Sequence, residues 1–220
     1  CTDPLATNYY AGANIDDGTC TYGPVINNAC TGATAIPDSN FETRLINLGI
    51  DSGPNDGLVD NAAVCPLTFL SVSNYNVSDL TGIEAFIALE RLWSSNNQLT
   101  TFDLSQNTAL TQLICHGNQL TSLDVSQNTA LTTLWCHDNQ LTTLDVSQNT
   151  ALTWLSCHDN QLTSLILGTG INLNNLNLDC LGYSNLVIHV GTAGRVALAQ
   201  SLFVPGSSPQ TISPGTTFAI

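Results

Sequence analysis

The chain has no lysine and no methionine, and its only cations are Arg44, Arg91 and Arg195 among 220 residues. Seventeen Asp and Glu leave a formal net charge of -14 at pH 7. Nucleic acid and anionic membrane surfaces need a cationic footprint, so neither is expected as a partner. Without lysine there is no Schiff-base or lysine-phosphate chemistry. Charged residues make up only 9% of the chain, so solubility falls to Ser, Thr, Asn and Gln. No apolar run is long enough to span a bilayer, and no membrane insertion is expected. His-Glu-x-x-His, Gly-x-Ser-x-Gly and phosphate-loop motifs are all missing. The carboxylates fall mostly in repeating columns, which singles out no acid/base pair. A non-enzyme that requires no cofactor is the expectation. The chain starts at Cys1 rather than Met, as a processed or excised piece would.

What is present is a repeat. Leu92-Trp-Ser-Ser-Asn-Asn-Gln-Leu99, Leu113-Ile-Cys-His-Gly-Asn-Gln-Leu120, Leu134-Trp-Cys-His-Asp-Asn-Gln-Leu141 and Leu155-Ser-Cys-His-Asp-Asn-Gln-Leu162 follow one another every 21 residues without a gap. Between them runs Leu-Thr-x-Phe/Leu-Asp-Leu/Val-Ser-Gln-Asn-Thr-Ala-Leu, beginning at Leu99, Leu120 and Leu141. This is the leucine-rich-repeat signature. One repeat cannot bury its own apolar side, so neighbours stack into a solenoid of parallel strand rungs with a 21–22-residue period. Strands are expected at Leu70–Val72, Leu92–Ser94, Leu113–Cys115, Leu134–Cys136, Leu155–Cys157 and Leu176–Leu178.

Around the repeats the chain divides into five parts. Residues 1–23 are a short module bracketed by Cys1 and Cys20, and 24–36 are a polar linker. Residues 37–66 are an N-terminal cap, with a helix N-capped by Asp38, striped by Phe41, Leu45, Ile46 and Leu48, and ended at Gly49. The repeats occupy 67–180, opening with an internalin-like return at Val77–Ile83. Residues 181–220 form a C-terminal cap, with a strand at Leu186–Val190. The first module reads Cys1-Thr-Asp-Pro, Ala6-Thr-Asn-Tyr and Asp16-Asp-Gly-Thr-Cys20-Thr-Tyr22. It resembles the Cys-x-Asp-Pro…Asp-Asp-Gly-x-Cys modules of secreted Bacteroidetes proteins. Ile36-Pro-Asp-Ser-Asn-Phe-Glu42, Asp79-Leu-Thr-Gly-Ile-Glu-Ala-Phe86 and the Asn-Gln-Leu-Thr-x-Leu-Asp repeats resemble the secreted or cell-surface leucine-rich-repeat proteins of flavobacteria. That resemblance implies an extracellular or cell-surface product.

Cys1 and Cys20 bracket a segment too small for a core, so a disulfide staple is expected there. Cys30 and Cys65 offer a second pair, and Cys180 is unassigned. Cys115, Cys136 and Cys157 share one inward repeat position and are expected to be buried thiols, because strand spacing looks wide for a disulfide. Asn97, Asn118, Asn139 and Asn160 are expected to bond the backbone at each turn.

Outward columns follow from strand alternation. One holds Trp93, Ile114, Trp135, Ser156 and Asn177; its neighbour holds Ser95, His116, His137, His158 and Asp179. A third holds Arg91, Gln112, Thr133, Trp154 and Asn175. Trp93, Trp135, Trp154, His116, His137, His158, Asp138 and Asp159 are therefore the candidate ligand-binding residues. Repeat duplication also copies residues without use, so a histidine ladder can be mere inheritance. Exposed tryptophan is harder to dismiss. The ladder could ligate a transition metal, although parallel rings converge poorly on one ion. Asp103, Asp124 and Asp145 form an outward column on the opposite face, read as solvated. Calcium could be held by Asp3, Asn8, Asn14, Asp16 and Asp17, whose oxygens are hard ligands, or those residues are only a turn. Asp51, Asn55, Asp56 and Asp60 are a weaker candidate. The expected function is extracellular binding or adhesion, with a glycan or a surface protein as ligand. The alternative is a self-associating subunit of a surface layer or filament.

Overall fold

The computed structural model describes residues 30–180, 183 and 186–190. The chain enters through a two-stranded antiparallel pair, β1 (Ala33–Ala35) and β2 (Leu58–Asp60), with α1 (Ser39–Asn47) between them and α2 (Asn61–Val64) after. Cys30 and Cys65 are disulfide-bonded across this cap, the second pair offered by the sequence. Asp38 caps α1 as expected: one carboxylate oxygen accepts from the backbone N–H of Asn40 and of Phe41, each at 2.9 Å. The other accepts from Ser78 N at 2.7 Å, Ser78 Oγ at 2.8 Å and Asp79 N at 3.0 Å. One buried side chain thus ties the helix to the first return of the solenoid. Burial alone would raise its pKa, but these hydrogen bonds outweigh burial and hold the carboxyl below its usual 3.8. The buried Phe41 and Leu45 turn α1 onto the core.

The return at Ile83–Ala85 is a short 3-10 turn entered at Gly82, φ +101°. A Cβ there would sit 2.2 Å from Ile36 Cδ1 and 2.7 Å from the Ala35 carbonyl oxygen, so only glycine fits.

The rungs then follow: β3 (Phe69–Ser71), β4 (Arg91–Trp93), β5 (Gln112–Ile114), β6 (Thr133–Trp135), β7 (Thr143–Asp145), β8 (Trp154–Ser156), β9 (Ser164–Ile166), β10 (Asn177–Asp179) and β11 (Val187–His189). Six of them form one parallel sheet in the order β3-β4-β5-β6-β8-β10, with Leu70, Leu92, Leu113, Leu134, Leu155 and Leu178 in register. The core is this leucine column with Leu99, Leu120, Leu141, Leu110, Leu131 and Leu152, all fully or nearly fully buried except Leu178, which is partly buried on the last strand of the sheet. A second parallel sheet, β7-β9-β11, lines the opposite side of the last three rungs among the described residues. The strands on the first sheet begin one residue earlier than expected, and the last begins at Asn177 rather than Leu176. Two extra residues lie between Leu173 and Leu178, absorbed in a turn where Asn175 N donates to Asn172 O. Leu178 therefore takes the inward place expected for Leu176. Asp179 moves into the Trp column and Asn177 beside Trp154, in place of the Asn177 and Asn175 assigned there.

The same two residues correct the cysteine reading. Cys180 lands on the ladder one rung beyond Cys157, with Cα atoms 4.8 Å apart, and the two are disulfide-bonded. Strand spacing lies inside the Cα range a disulfide accepts, so the expectation of a thiol at Cys157 was wrong. Cys115 and Cys136 are buried free thiols, as expected. Burial pushes Cys115 well above the ordinary thiol value and Cys136 up to about 12, which makes both unreactive.

Asn ladders close the turns. Asn118 Nδ2 donates to Ser94 O, Cys115 O and His116 O; Asn139 and Asn160 repeat the pattern one rung on each. A second ladder, Asn107, Asn128 and Asn149, is fully buried and donates two bonds per amide across the return side. Asp103, Asp124 and Asp145 point to solvent, and each accepts from the backbone of the Ser two residues on at 2.8–2.9 Å. They are turn formers.

Candidate functional site

The outer surface of the first sheet carries the aromatic residues. Parallel register puts Trp93, Ile114, Trp135 and Ser156 in one row and Phe69, Arg91, Gln112, Thr133 and Trp154 in the row two residues earlier. The rings gather at two ends. Phe69 meets Trp93 edge-on at 5.0 Å, and the Arg91 guanidinium lies 4.9 Å over the Phe69 ring. Trp135 and Trp154 meet at 5.8 Å, tilted by 60°. Between the pairs lies the Gln112/Ile114 rung, where Gln112 Oε1 accepts the Trp93 Nε1–H at 2.9 Å. Phe69, Trp93 and Trp154 are 38%, 37% and 45% exposed. Trp135 is half-buried, and its Nε1–H has no partner among the described residues.

The histidines stack as the period requires. His116 and His137 are 4.4 Å apart at 7°, and His137 and His158 are 4.4 Å apart at 17°. Ser156 joins the two columns, its Oγ lying 3.2 Å from His137 Nδ1. Asp138 Oδ2 is 3.8 Å from His137 Nε2; Asp159 Oδ2 is 2.7 Å from His158 Nδ1, and Asp179 Oδ2 is 3.7 Å from His158 Nε2. Burial lowers the pKa of His116 and His137, with other imidazoles of the stack acting in the same direction and the Asp138 carboxylate opposing them. At the end of the stack, the Tyr183 hydroxyl donates to Cys157 O and accepts from Asn160 N at 3.2 Å. Burial pushes its pKa to about 12.

Asp138 and Asp159 have a local role as well. They sit at φ 53° and 50°, and the same column holds Asn96 at 54° and Gly117 at 67°. Residues that tolerate the left-handed region are needed at this turn, which explains Asn, Gly and Asp there without any ligand. The carboxylates at 138 and 159 then fall beside the imidazoles by geometry.

The eight residues expected at the site are thus brought together on one side of the solenoid. Arg91, Gln112, Ser156 and Asp179 were placed on the outward columns but not among the candidates, and Phe69 and Tyr183 were missed. Phe69 was within reach, since it precedes Arg91 by the same 22-residue step that relates Leu70 to Leu92. Asp51, Asn55, Asp56 and Asp60 do not converge. Asp51, Asp56 and Asp60 each accept a backbone N–H two residues on, while Asn55 Nδ2 donates to Ser39 O and Thr43 Oγ1. Cys1, Cys20, Asp3, Asn8, Asn14, Asp16 and Asp17 lie outside the described residues.

Residues 108–149 match the family model of leucine-rich repeats in two copies. Internalin J of Listeria monocytogenes serotype 4b is 41% identical over 73 residues, a stretch that is 33% of this chain and 8% of that protein. The functional domain of internalin J from Listeria monocytogenes, described as including a cysteine ladder, superposes with a TM-score of 0.60 at 34% identity. That match covers 73% of this chain and 38% of the other, so the chain spans well under half the length of the relatives it matches. Leucine-rich repeats of internalin-like form are the fold of this chain, and its own ladder runs Cys115, Cys136, Cys157 and Cys180.

Proposed function

We propose that this chain is a non-catalytic binding module of a secreted or surface-displayed protein, and that its ligand lies on the outer face of β3 to β8. Phe69, Trp93, Trp135 and Trp154 are the platforms. His116, His137 and His158, flanked by Asp138 and Asp159, supply hydrogen bonds. The observation that carries this reading is the exposure of Phe69, Trp93 and Trp154 on one rigid sheet. Large rings gathered on a solvated face favour association unless a ligand covers them. An extracellular polysaccharide is the ligand we assign. Sugar C–H faces pack on flat rings, hydroxyls bond imidazole and amide groups, and neither needs positive charge. Repeated units along a glycan match repeated rungs. The likeness to internalin J supports a surface role.

A protein partner, either a surface protein or a second copy of this chain, is favoured by one contact. Arg91 over Phe69 beside Trp93 is the residue mixture that protein interfaces concentrate. Tryptophan emission separates the two. With a glycan ligand, emission responds to the sugar and is independent of protein concentration, and Trp93→Ala and Trp154→Ala each weaken binding by about tenfold or more. With a self-association face, emission changes with protein concentration, and the same substitutions give monomers. If both substitutions leave glycan binding, protein capture and assembly unchanged, the face is not the site.

A further inference from the structure

Parallel imidazoles alone make a poor cage, because their nitrogens point the same way. The residue after His137 changes the geometry. Asp138 turns through the left-handed region, and its Oδ2 comes to lie 3.8 Å from His137 Nε2. One nitrogen from His116, one from His137 and one carboxylate oxygen from Asp138 all lie within 4.8 Å of one another. The 3.8 Å gap is too wide for a hydrogen bond. It is close to the edge of about 3.4 Å that a tetrahedral site with bonds of roughly 2.0–2.1 Å requires.

Ser156 adds the second feature. It is buried, and its Oγ lies 3.2 Å from His137 Nδ1. With Nδ1–H donating to that hydroxyl, Nε2 keeps its lone pair and faces Asp138. This is the outer hydrogen bond that orients a metal-bound imidazole. His137 keeps 17% of its side chain open to solvent, which leaves room for a water as fourth ligand. His158 is engaged elsewhere, between Asp159 and Asp179.

We propose that His116, His137 and Asp138 bind one divalent transition-metal ion of the zinc class. Two imidazoles and one carboxylate suit zinc, nickel and copper, whereas calcium takes an all-oxygen shell. Binding tilts the nitrogen edges of the His116 and His137 rings together, which opens the stack on its Cβ side. The site shares His116, His137 and Asp138 with the ligand face proposed above, but uptake of the ion by the free chain does not need the tryptophans to be covered.

The test is zinc titration calorimetry on the full 220-residue chain without a histidine tag, together with cobalt(II) absorption. The wild-type chain is expected to take up a zinc ion with the visible cobalt bands of a four-coordinate nitrogen/oxygen site. His116→Gln and His137→Gln should each weaken it by about 30-fold or more and abolish the bands. Ser156→Ala, which removes only the orienting bond, should weaken it by about tenfold. Asp138→Asn keeps a residue that this turn accommodates, since Asn96 holds the same backbone at φ 54°, so loss of binding there is not misfolding. His189→Gln, on the other sheet, should change nothing. The proposal is overturned if the wild type shows no four-coordinate cobalt spectrum, or if His116→Gln, His137→Gln and Asp138→Asn bind zinc as the wild type does.

Discussion

Asn139 shows how far the repeat depends on one side chain per turn. Its Nδ2 donates to Cys115 O and Cys136 O at 3.1 Å and to His137 O at 3.2 Å, and its Oδ1 accepts the Leu120 N–H at 3.0 Å. The side chain therefore joins two rungs. In Asn139→Ala the Leu120 amide, buried between the rungs, loses its acceptor, at a cost of roughly 1–3 kcal/mol. The two Nδ2–H donors shared among the three carbonyls are lost as well, each worth about 1 kcal/mol where water does not replace it. We expect about 3–5 kcal/mol of destabilisation in total. Asn139→Asp should be worse. It keeps the acceptor for Leu120 but turns a carboxylate toward three carbonyl oxygens in a buried turn. Urea unfolding gives the total. Amide hydrogen exchange gives the place, with Leu120 slow in the wild type and fast in Asn139→Ala. Gln140→Ala, one residue on and exposed, is the control. Asn139→Ala within about 1 kcal/mol of the wild type, or Asn139→Asp more stable than Asn139→Ala, would refute the hydrogen-bond argument.

Two further outcomes follow from the described contacts. Because the carboxyl of Asp38 is held below 3.8 in the fold, it stabilises the chain above that value, and the contribution disappears as pH falls through the lower folded value. Asp38→Asn should thus cost about 1–3 kcal/mol at pH 7, and the gap should close below pH 3.8 in thermal melts; a gap that is constant with pH contradicts this. Peptide mapping should find Cys115 and Cys136 alkylated only after unfolding and Cys157 and Cys180 only after reduction, and alkylation of native, unreduced Cys157 would count against the terminal bridge. Cys136→Ser should lower stability by roughly 1–3 kcal/mol, since a hydroxyl enters an apolar stack without an assured partner.

Much of this was readable from the chain, for a definite reason. An in-register solenoid converts sequence spacing directly into neighbours, so the leucine core, the histidine stack and the first Asn ladder follow from a period. Asp38 announced α1 because capping is local. Reading failed where the period changed. Two residues inserted after Leu173 moved Leu178, Asp179 and Cys180 onto ladder positions, and nothing in the Asn-rich turn marks the shift. The disulfide at Cys157 was lost with it. The second Asn ladder was missed for another reason: Asn107, Asn128 and Asn149 lie in a polar phrase that reads as surface, and only the closed turn shows them buried. Whether Trp135 would stand free or tuck beside Trp154 depended on ring packing, which spacing does not encode.

A stack of rungs comes apart most easily from its ends, where a rung has one neighbour instead of two. Here the described end regions are both fastened. Cys30–Cys65 closes the cap before the first rung, and Cys157–Cys180 ties the last rung of the large sheet to the one before it. While both bonds are intact, peeling is blocked and loss of structure has to begin between two occupied neighbours, a much rarer opening. Reduction removes that protection while leaving the leucine column and the Asn ladders in place. Opening of the described fold from either end is therefore expected to quicken when these four sulfur atoms are reduced.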